Sequence, residues 1–403
     1  MRILLIGSGG REHAIGWKLA QSRRVDELVS LPGNPGLAEV GPVVEGIAVT
    51  DVGAIAAMAR LHAVDLVVVG PEGPLAAGAT DAISRLGIPV FGPTRAAARL
   101  ESSKGFAKDV MTRAGVPTGG ADTFTDPAAA REHIDRAESP YVVKADGLAG
   151  GKGVLVTESK LDAKSWVDHW AEMGPVVVEE YLDGPEVSVF AVCTETGSVP
   201  LEPARDYKRL LEGDEGPNTG GMGSYSPVAD LPPDLVEDTL KHVIDPTLKQ
   251  MKADGCPFMG FLYAGLVLTE DGPKVLEFNV RLGDPETQAI LPRMTSDFLD
   301  VLEGSQPEWS DMATVNVVLA APGYPTASQR GAEIAGIDAR PGDDVILFHA
   351  GTVAEGKKVF VDGGRVLNVV GTGSTLEAAR DRAYAAAERI TWPGVQYRRD
   401  IAG

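Results

Sequence analysis

Short apolar runs alternate with glycine turns and helical stretches over the first hundred residues. Residues 3–6, which follow Arg2, form an apolar run that ends in a glycine turn and leads into an amphipathic stretch up to Ala20. Residues 66–69 and 88–91 repeat this pattern. Continuous apolar runs separated by helical segments are typical of parallel strands covered on both faces. We therefore predict an N-terminal parallel α/β domain over residues 1–100.

A different pattern begins near residue 120. Three short apolar strands bracket a helical stretch near residues 161–172, and they lie at residues 141–144, 153–156 and 176–179. These elements predict a small α+β lid at about residues 120–186. Further strands at 187–192, 261–268 and 275–280, with a helix between about 234 and 253, predict an antiparallel α+β body. We place lid and body in one domain, residues 101–325.

The chain restarts with short strands beyond residue 325. The run Ser374-Thr375-Leu376-Glu377 is a capping-box pattern, with Ser374 as the predicted cap of an Ala-rich helix that stops before Trp392. We predict a C-terminal α+β cap domain over residues 326–403. The fold class expected for the whole chain is therefore a multidomain mixture of α/β and α+β units.

The charge of the chain restricts its partners. The 403 residues carry 37 Lys+Arg against 57 Asp+Glu, a net charge of −20, which repels nucleic acid and anionic membranes. An anionic substrate therefore needs a local cluster of cations and backbone N–H groups. Cys193 and Cys256 form no disulfide or zinc pattern, and no apolar run reaches signal-peptide or membrane-spanning length. These features favour a cytoplasmic protein.

A glycine turn follows the first predicted strand, at residues 7–10. Such a turn before a helix can hold a phosphate with its backbone N–H groups. Glu12, however, stands where the dinucleotide fingerprint requires a small residue, and its charge would oppose a pyrophosphate. Phosphate binding and a tight structural turn both stay open at this point.

The lid contains a glycine-rich hairpin with Lys144 at one end and Lys152 at the other. Its spacing is not that of a P-loop. Glycines allow the backbone to approach phosphate oxygens closely, and the lysines supply charge, so the hairpin is interpreted either as a phosphate-covering flap or as a plain flexible loop.

An acidic strand exit follows, at residues 176–186. Its backbone can face an adenine edge, and Glu186 can accept from two ribose hydroxyls, although acidic strand ends are usually solvated surface.

The strand at residues 275–280 carries the strongest local signal. Alternation places Glu277, Asn279 and Arg281 on one face of this strand. Glutamate and asparagine oxygens suit Mg²⁺, and arginine binds a carboxylate or phosphoryl oxygen. The alternative is an ordinary half-exposed antiparallel strand. Glu, Asn and Arg in a row are an unusual solvent-facing set, so the pattern favours a functional face.

The order of these motifs resembles the ATP-grasp carboxylate–amine ligases. Within that superfamily the chain resembles the phosphoribosylamine–glycine ligases over its whole length. The resemblance is carried by the runs Gly-Gly-Arg-Glu-His-Ala from residue 9, Gly-Pro-Glu from 70, Lys-Ala-Asp-Gly-Leu-Ala from 144, Gly-Pro-Asn-Thr-Gly-Gly-Met-Gly from 216, and Glu-Phe-Asn to Gly-Asp-Pro-Glu-Thr between 277 and 287.

The resemblance implies the reaction and its components. Glycine, 5-phosphoribosylamine and ATP would give glycinamide ribonucleotide, ADP and phosphate through glycyl phosphate, in purine biosynthesis. The cofactors implied are ATP and Mg²⁺ or Mn²⁺. We expect a cytoplasmic monomer with small-molecule substrates, no nucleic acid or membrane partner, and at most a transient contact with the preceding pathway enzyme.

The resemblance also assigns roles to individual residues. Arg281, Lys144 and Asp206 are the expected catalytic residues, with Arg281 on the glycine carboxylate and acyl phosphate and Asp206 on the ammonium. The expected ATP site is Lys104, Lys144, the flap Gly150, Gly151, Lys152 and Gly153, the hinge Glu179, Glu180, Tyr181 and Leu182, and Glu186 on the ribose. The expected metal ligands are Glu277 and Asn279. The expected substrate-binding residues are Gly9 and Gly10 on the phosphate of phosphoribosylamine, Glu72 on its ribose, and Asp206, Arg281, Gly283 and Asp284.

Many ATP-grasp enzymes place another acidic metal ligand on the preceding strand, but residues 261–268 contain no carboxylate, so few protein ligands are expected. A sister ligase or carboxylase with another carboxylate substrate is disfavoured by the run at 216–223. A nucleotide-binding oxidoreductase is disfavoured by Glu12. A non-catalytic ATP-binding module is disfavoured because Lys144, Glu277, Asn279 and Arg281 are all present.

Overall fold

Four parallel strands form the N-terminal sheet in a computed structural model that describes residues 1–149, 153–337 and 342–403. The strands are β1 (Arg2–Gly7), β2 (Glu27–Pro32), β3 (Leu66–Val69) and β4 (Val90–Phe91), in the order β2-β1-β3-β4. The helices are α1 (Gly10–Leu19), α2 (Pro35–Ala38), α3 (Val52–Leu61), α4 (Glu72–Ala77) and α5 (Ala79–Ser84). Leu4 and Ile6 pack into one core cluster and Ile3 and Leu5 into another, so both faces of β1 are covered, as predicted.

Two helices connect this sheet to the lid. They are α6 (Arg99–Ser102) and α7 (Lys104–Ala114). The lid contains β5 (Ala121–Phe124), α8 (Pro127–Arg136), β6 (Tyr141–Ala145), β7 (Val154–Thr157), α9 (Lys160–Ala171) and β8 (Val176–Glu179). Its antiparallel sheet has the order β5-β8-β6-β7 and a core of its own, which includes Ile134, Val143 and Val167. The predicted lid strands and helix are confirmed, and β5 and α8 are additions.

The body begins with β9 (Glu186–Thr194) and ends with β17 (Ala313–Ala320). Between them lie β10 (Gly197–Pro200), β11 (Arg205–Asp206), β12 (Arg209–Leu211), β13 (Glu215–Asn218), β14 (Gly223–Ser226), α10 (Leu235–Thr239), α11 (Asp245–Ala253), β15 (Gly260–Thr269), β16 (Gly272–Asn279), α12 (Glu286–Ile290) and α13 (Phe298–Leu302). An antiparallel sheet of order β10-β9-β15-β16 forms its centre.

The single helix predicted between 234 and 253 is interrupted. A π-helical turn, Leu240–Ile244, separates α10 from α11. Pro246 lies two residues after this turn, has no N–H to donate, and its ring would clash with the carbonyl four residues earlier. The backbone therefore widens by one residue per turn before the proline.

The C-terminal strands are β18 (Val345–His349), β19 (Thr352–Glu355), β20 (Lys358–Val361) and β21 (Arg365–Gly373), followed by α14 (Leu376–Ala387). β19 and β20 pair with each other, whereas β18 and β21 complete a sheet that begins in the body. The sheet order is β11-β14-β17-β21-β18, so β17 and β21 pair across the chain position at which we predict a domain boundary. The cap of α14 is Thr375, whose side chain accepts from the Ala378 N–H, so the prediction of Ser374 is wrong by one residue.

Candidate active site

A cavity of about 500 Å³ lies where the lid, the body and both terminal parts meet. Most of the predicted site residues line it, namely Glu72, Lys104, Lys144, Gly153, Glu179, Glu180, Tyr181, Leu182, Glu186, Asp206, Glu277, Asn279, Arg281 and Asp284. Gly9, Gly10 and Gly283 are not among its lining residues. Gly150, Gly151 and Lys152 lie outside the described residues. Positions more than 200 residues apart in the sequence thus share one cavity.

One end of the cavity is cationic. Lys144 on β6 donates from Nζ to Oε2 of Glu179 at 2.8 Å, and Lys108 Nζ lies 3.1 Å from the same oxygen. Lys104 donates to the Gly147 carbonyl at 3.0 Å, and burial lowers its pKa. The Glu179 side chain is turned toward the lysines. Sequence reasoning missed Lys108, although its position four residues after Lys104 on α7 puts both on one helix face.

A lysine links two of the predicted acidic residues. Lys208 Nζ donates to Oε2 of Glu186 at 2.6 Å and to Oδ1 of Asp206 at 3.0 Å. Burial opposes the charge of Lys208, but Asp206 and Glu186 raise its pKa well above the usual value. Asp206 and Glu186 are therefore neutralised in part by a residue that the sequence interpretation did not select.

The end of β16 carries the predicted metal ligands side by side. Asn279 Nδ2 lies 3.4 Å from Oε1 of Glu277, and Phe278 between them faces the core. Burial acts in the opposite direction, but Lys144 and the other nearby lysines lower the pKa of Glu277, so its carboxylate is charged at neutral pH.

These two side chains fit a divalent cation only if other oxygens complete its shell. Among the described residues no group of three or more His, Cys, Asp or Glu side chains could hold a metal ion. Mg²⁺ commonly takes one or two protein oxygens and fills its remaining positions with water and substrate phosphates. The pair therefore fits a cation bound together with a nucleotide.

Arg281 lies beyond Asn279, between two carboxylates. Its Nη2 is 3.3 Å from Oε1 of Glu101, and its Nε is 3.4 Å from Oε2 of Glu72. Burial opposes the charge, yet Glu101 and Glu72 raise the pKa of Arg281 above its usual value. Burial in turn raises the pKa of Glu101 to about 7. Glu101 lacks any motif around it, and sequence reasoning missed it.

Glu286 is a second buried carboxylate that sequence reasoning missed. It lines the cavity at the start of α12, and its Oε1 accepts from the Ser188 hydroxyl at 3.3 Å. Burial and the nearby charge of Asp206 raise the pKa of Glu286 to about 7. Its place in the run that begins at residue 283 was a signal available in the sequence.

The first glycine turn is closed by its own helix. The Gly9 N–H donates to Oε2 of Glu12 at 2.7 Å, and Arg11 Nε lies 2.5 Å from the other oxygen of this carboxylate. A Cβ atom at Gly10 would lie 2.2 Å from Nδ2 of Asn368, so glycine is required there by packing. Arg11 Nη2 reaches Oε2 of Glu72 at 3.9 Å. These contacts explain a tight structural turn, and phosphate binding at Gly9 and Gly10 stays a prediction.

Three family models cover most of the chain. Those described as the N, ATP-grasp (A) and C domains of phosphoribosylglycinamide synthetase match residues 1–101, 102–287 and 314–403. Enzymes named phosphoribosylamine–glycine ligase are similar along the whole chain. The relative from Streptomyces coelicolor is 48% identical and that from Rhizobium meliloti 47% identical, with 100% of this chain and 99% and 98% of the relatives covered.

Solved structures agree with the sequence comparison. The crystal structure of phosphoribosylamine–glycine ligase from Thermotoga maritima has a TM-score of 0.86 and 37% identity, and all of both chains is covered. The biotin carboxylase domain of Hydrogenobacter thermophilus 2-oxoglutarate carboxylase has a TM-score of 0.73 at 17% identity over 98% of this chain and 91% of that chain, a likeness of fold. The predicted fold class is confirmed. No helix in the described ranges is long and apolar enough to cross a membrane.

Proposed function

The chain belongs to the phosphoribosylglycinamide synthetase family, and from that premise we propose that its central cavity joins glycine to 5-phosphoribosylamine at the expense of ATP. The protein is an ATP-dependent carbon–nitrogen ligase of purine biosynthesis. The observation that supports the cavity as its site is the order of side chains at the end of β16 and just beyond it. Lysines lie near Glu277, and Asn279 and then Arg281 follow.

The chemistry needs these charges more than it needs a nucleophile. A carboxylate is a poor electrophile at neutral pH, so the γ-phosphoryl group of ATP is first transferred to a glycine carboxylate oxygen. The amine of phosphoribosylamine then forms the C–N bond, the C–O bond to phosphate breaks, and the amine releases a proton. Both steps depend on alignment of the reactants and on neutralisation of the phosphoryl charge.

We assign the lysine end of the cavity to ATP. Lys104 and Lys144 would contact the phosphates, and the flap at residues 150–153 would cover them. The hinge, residues 179–182, would hold adenine through backbone groups, because the Glu179 side chain is engaged by lysines. Glu186 would accept from the ribose hydroxyls.

Glu277 and Asn279 would hold Mg²⁺. When bound, the cation neutralises phosphate charge during the transfer. Mg²⁺ or Mn²⁺ is the proposed cation, because carboxylate, carbonyl and water oxygens suit both ions. The protein's own part is to present two oxygens from one rigid strand and to keep Glu277 ionised with the neighbouring lysines.

We assign the arginine end to glycine and phosphoribosylamine. Arg281 would bind the glycine carboxylate and then the acyl phosphate, with Asp206 and Glu286 at the ammonium. Glu72 would accept from the ribose hydroxyls of phosphoribosylamine. Gly9, Gly10, Gly283 and Asp284 complete the proposed substrate site.

ADP release under fixed Mg²⁺ tests the proposal. ATP and glycine are supplied with freshly made phosphoribosylamine in one arm and without it in the other. Release that needs both substrates and yields glycinamide ribonucleotide supports the assignment. ATP binding without release in either arm would overturn the choice of substrates in favour of another carboxylate.

Three further expectations belong to the same proposal. We propose that the enzyme is a cytoplasmic monomer, and that any contact with the enzyme supplying phosphoribosylamine is transient. Gel filtration with light scattering tests whether the enzyme is a monomer. We also propose domain boundaries near residues 100 and 325.

A further inference from the structure

Glu101 holds the end of β16 through both of its carboxylate oxygens. It lies on α6, between the N-terminal sheet and α7, and its side chain is 8% exposed. Oε2 accepts from the Val280 N–H at 2.7 Å, and Oε1 lies 3.3 Å from Nη2 of Arg281. One carboxylate therefore fixes the backbone just after the strand and the side chain of the next residue.

The Arg281 guanidinium has further contacts of similar length, to two neutral oxygens and to Glu72. Nη1 donates to the Leu282 carbonyl and Nη2 to Oδ1 of Asn279, each at 3.2 Å. Nε is 3.4 Å from Oε2 of Glu72, and in the described part of the chain this buried nitrogen has no hydrogen-bond partner. An arginine side chain has many rotamers, so an anion that favours one of them reduces the ordering cost when a ligand binds.

Glu72 and Glu101 differ in whether their carboxylate oxygens can contact a substrate. Both oxygens of Glu101 are engaged by the protein, whereas Glu72 is 32% exposed and faces the proposed ribose position. When ribose hydroxyls bind the Glu72 carboxylate, the Glu101 carboxylate still faces the Arg281 guanidinium. Glu101 thus acts on the reaction through Arg281.

We propose that Glu101 is a positioning residue for the ligation. It holds the Arg281 guanidinium in the orientation in which that group binds the glycine carboxylate and the acyl phosphate. This inference rests on the role proposed above for Arg281. It predicts a defect in glycine binding rather than in ATP binding, since the cavity lysines contact Gly147 and Glu179 and, among the described residues, none of them forms an ion pair with Glu101.

A double-mutant cycle with steady-state kinetics on the full chain at pH 8 tests it, because burial raises the pKa of Glu101 to about 7 and its carboxylate is mostly charged at pH 8. Glu101→Gln keeps an acceptor for the Val280 N–H but removes the charge facing Arg281. The KM for glycine should rise about tenfold, the order of magnitude expected when one charge of a close buried ion pair is removed, while the KM for ATP changes by less than about twofold. In an Arg281→Lys background the same substitution should change the glycine KM by less than about twofold, because the bridging guanidinium is already gone.

Glu303→Gln is the matched control. Glu303 lies outside the cavity lining, and its Oε1 is 2.5 Å from Nη2 of Arg24. Neither KM should therefore change. Glu101→Asp keeps the charge on a shorter side chain and should recover part of the glycine affinity. If Glu101→Gln does not fold, Glu101→Asp carries the test alone and must raise the glycine KM without raising that for ATP.

Two results would overturn the proposal. One is an equal rise of both KM values in a folded Glu101 variant, and the other is a full effect of Glu101→Gln in the Arg281→Lys background. Either would make Glu101 a residue of general structure. Failure of the proposed function is a separate result, since the wild type would then release no ADP with glycine and phosphoribosylamine.

Discussion

Arg365 at the start of β21 is paired with Asp284, and its Nη2 lies 3.1 Å from Oδ2 of that carboxylate. Nη1 also donates to the backbone carbonyls of Asp284 and Gly220, each at 2.6 Å. The guanidinium therefore joins the C-terminal sheet to the glycine-rich run at 216–223 and to the segment after Arg281. Three acceptors on two loops depend on this one side chain.

Replacement of Arg365 should destabilise the protein more than loss of an exposed arginine. Arg365→Met removes one partner of a largely buried pair, which typically costs about 3–5 kcal/mol because the remaining carboxylate is left uncompensated. Arg330→Met is the control, since the side chains of Arg330 and Asp362 are 68% and 50% exposed. Exposed ion pairs of this kind contribute about 1 kcal/mol or less to stability. Urea unfolding of both variants makes the comparison. Equal losses would contradict a special role for Arg365.

Glu277→Gln should weaken the response to Mg²⁺. The amide keeps the shape of the side chain and one oxygen but loses the charge that the nearby lysines keep ionised. The Mg²⁺ concentration at half-maximal rate should rise at least about tenfold, since even loss of an outer partner of a metal site has an effect of this size. Glu270→Gln, at an exposed position just after β15, is the control. Unchanged Mg²⁺ dependence and rate in Glu277→Gln would refute its assignment as a ligand.

The pattern of apolar and polar residues predicted those strands and helices whose burial is recorded in the local sequence. The buried run in β1 and the strand alternation of Glu277, Phe278 and Asn279 both have their predicted orientation. The interruption before Pro246 could also have been inferred from the proline. The pairing of β17 with β21 could not, because it joins strands about 50 residues apart that carry no shared local pattern.

The candidate site was predictable where residues stand close together in a motif. Residues at 277–284 are of this kind. Arg365 and Glu101 stand alone in the sequence, and only the packing of β21 and α6 against the cavity brings them to Asp284 and Arg281. The tight turn at Gly9 shows the opposite case, in which a phosphate-binding pattern is also explained by an internal bond to Glu12.

Glu286→Gln should make the protein more stable at alkaline pH while weakening glycine binding. Burial and Asp206 raise the folded-state pKa of Glu286 to about 7 from about 4.5. Stability from this group is therefore complete below pH 4.5 and is lost as pH rises through about 7. The neutral amide avoids the loss, which is on the order of 3 kcal/mol at pH 8. Lys208 keeps Asp206 and Glu186 as partners in the variant.

Thermal unfolding at pH 5 and pH 8 measures this effect. The variant should gain on the wild type only at pH 8, and its KM for glycine should rise because one of the two carboxylates proposed for the ammonium is neutral. Ser188→Ala provides the matched control, since it removes the hydroxyl bonded to Glu286 but leaves the charge. A Glu286→Gln protein less stable than the wild type at pH 8 would contradict the argument.

Acid sensitivity should arise where the N-terminal and C-terminal parts meet at His13. Its Nδ1 accepts from the His349 N–H at 2.8 Å, and the Asn34 amide donates to the His349 carbonyl at 2.8 Å. Burial, together with His349, lowers the pKa of His13 to about 3, and burial lowers that of His349 to about 4. A proton on Nδ1 of His13 would face the N–H that now donates to it.

His13→Gln should make stability less dependent on pH between 6.5 and 5. An unfolded histidine binds a proton near pH 6.5, whereas folded His13 stays neutral, so acidification to pH 5 costs the wild type about 2 kcal/mol through this residue alone. Gln can still accept from the His349 N–H but binds no proton. Urea unfolding at pH 8, 6.5 and 5 separates the packing cost, present at every pH, from the proton-linked part. Glu101 and Glu286 titrate in both proteins and cancel in the difference, so parallel pH profiles for wild type and variant would exclude His13 as a source of acid sensitivity.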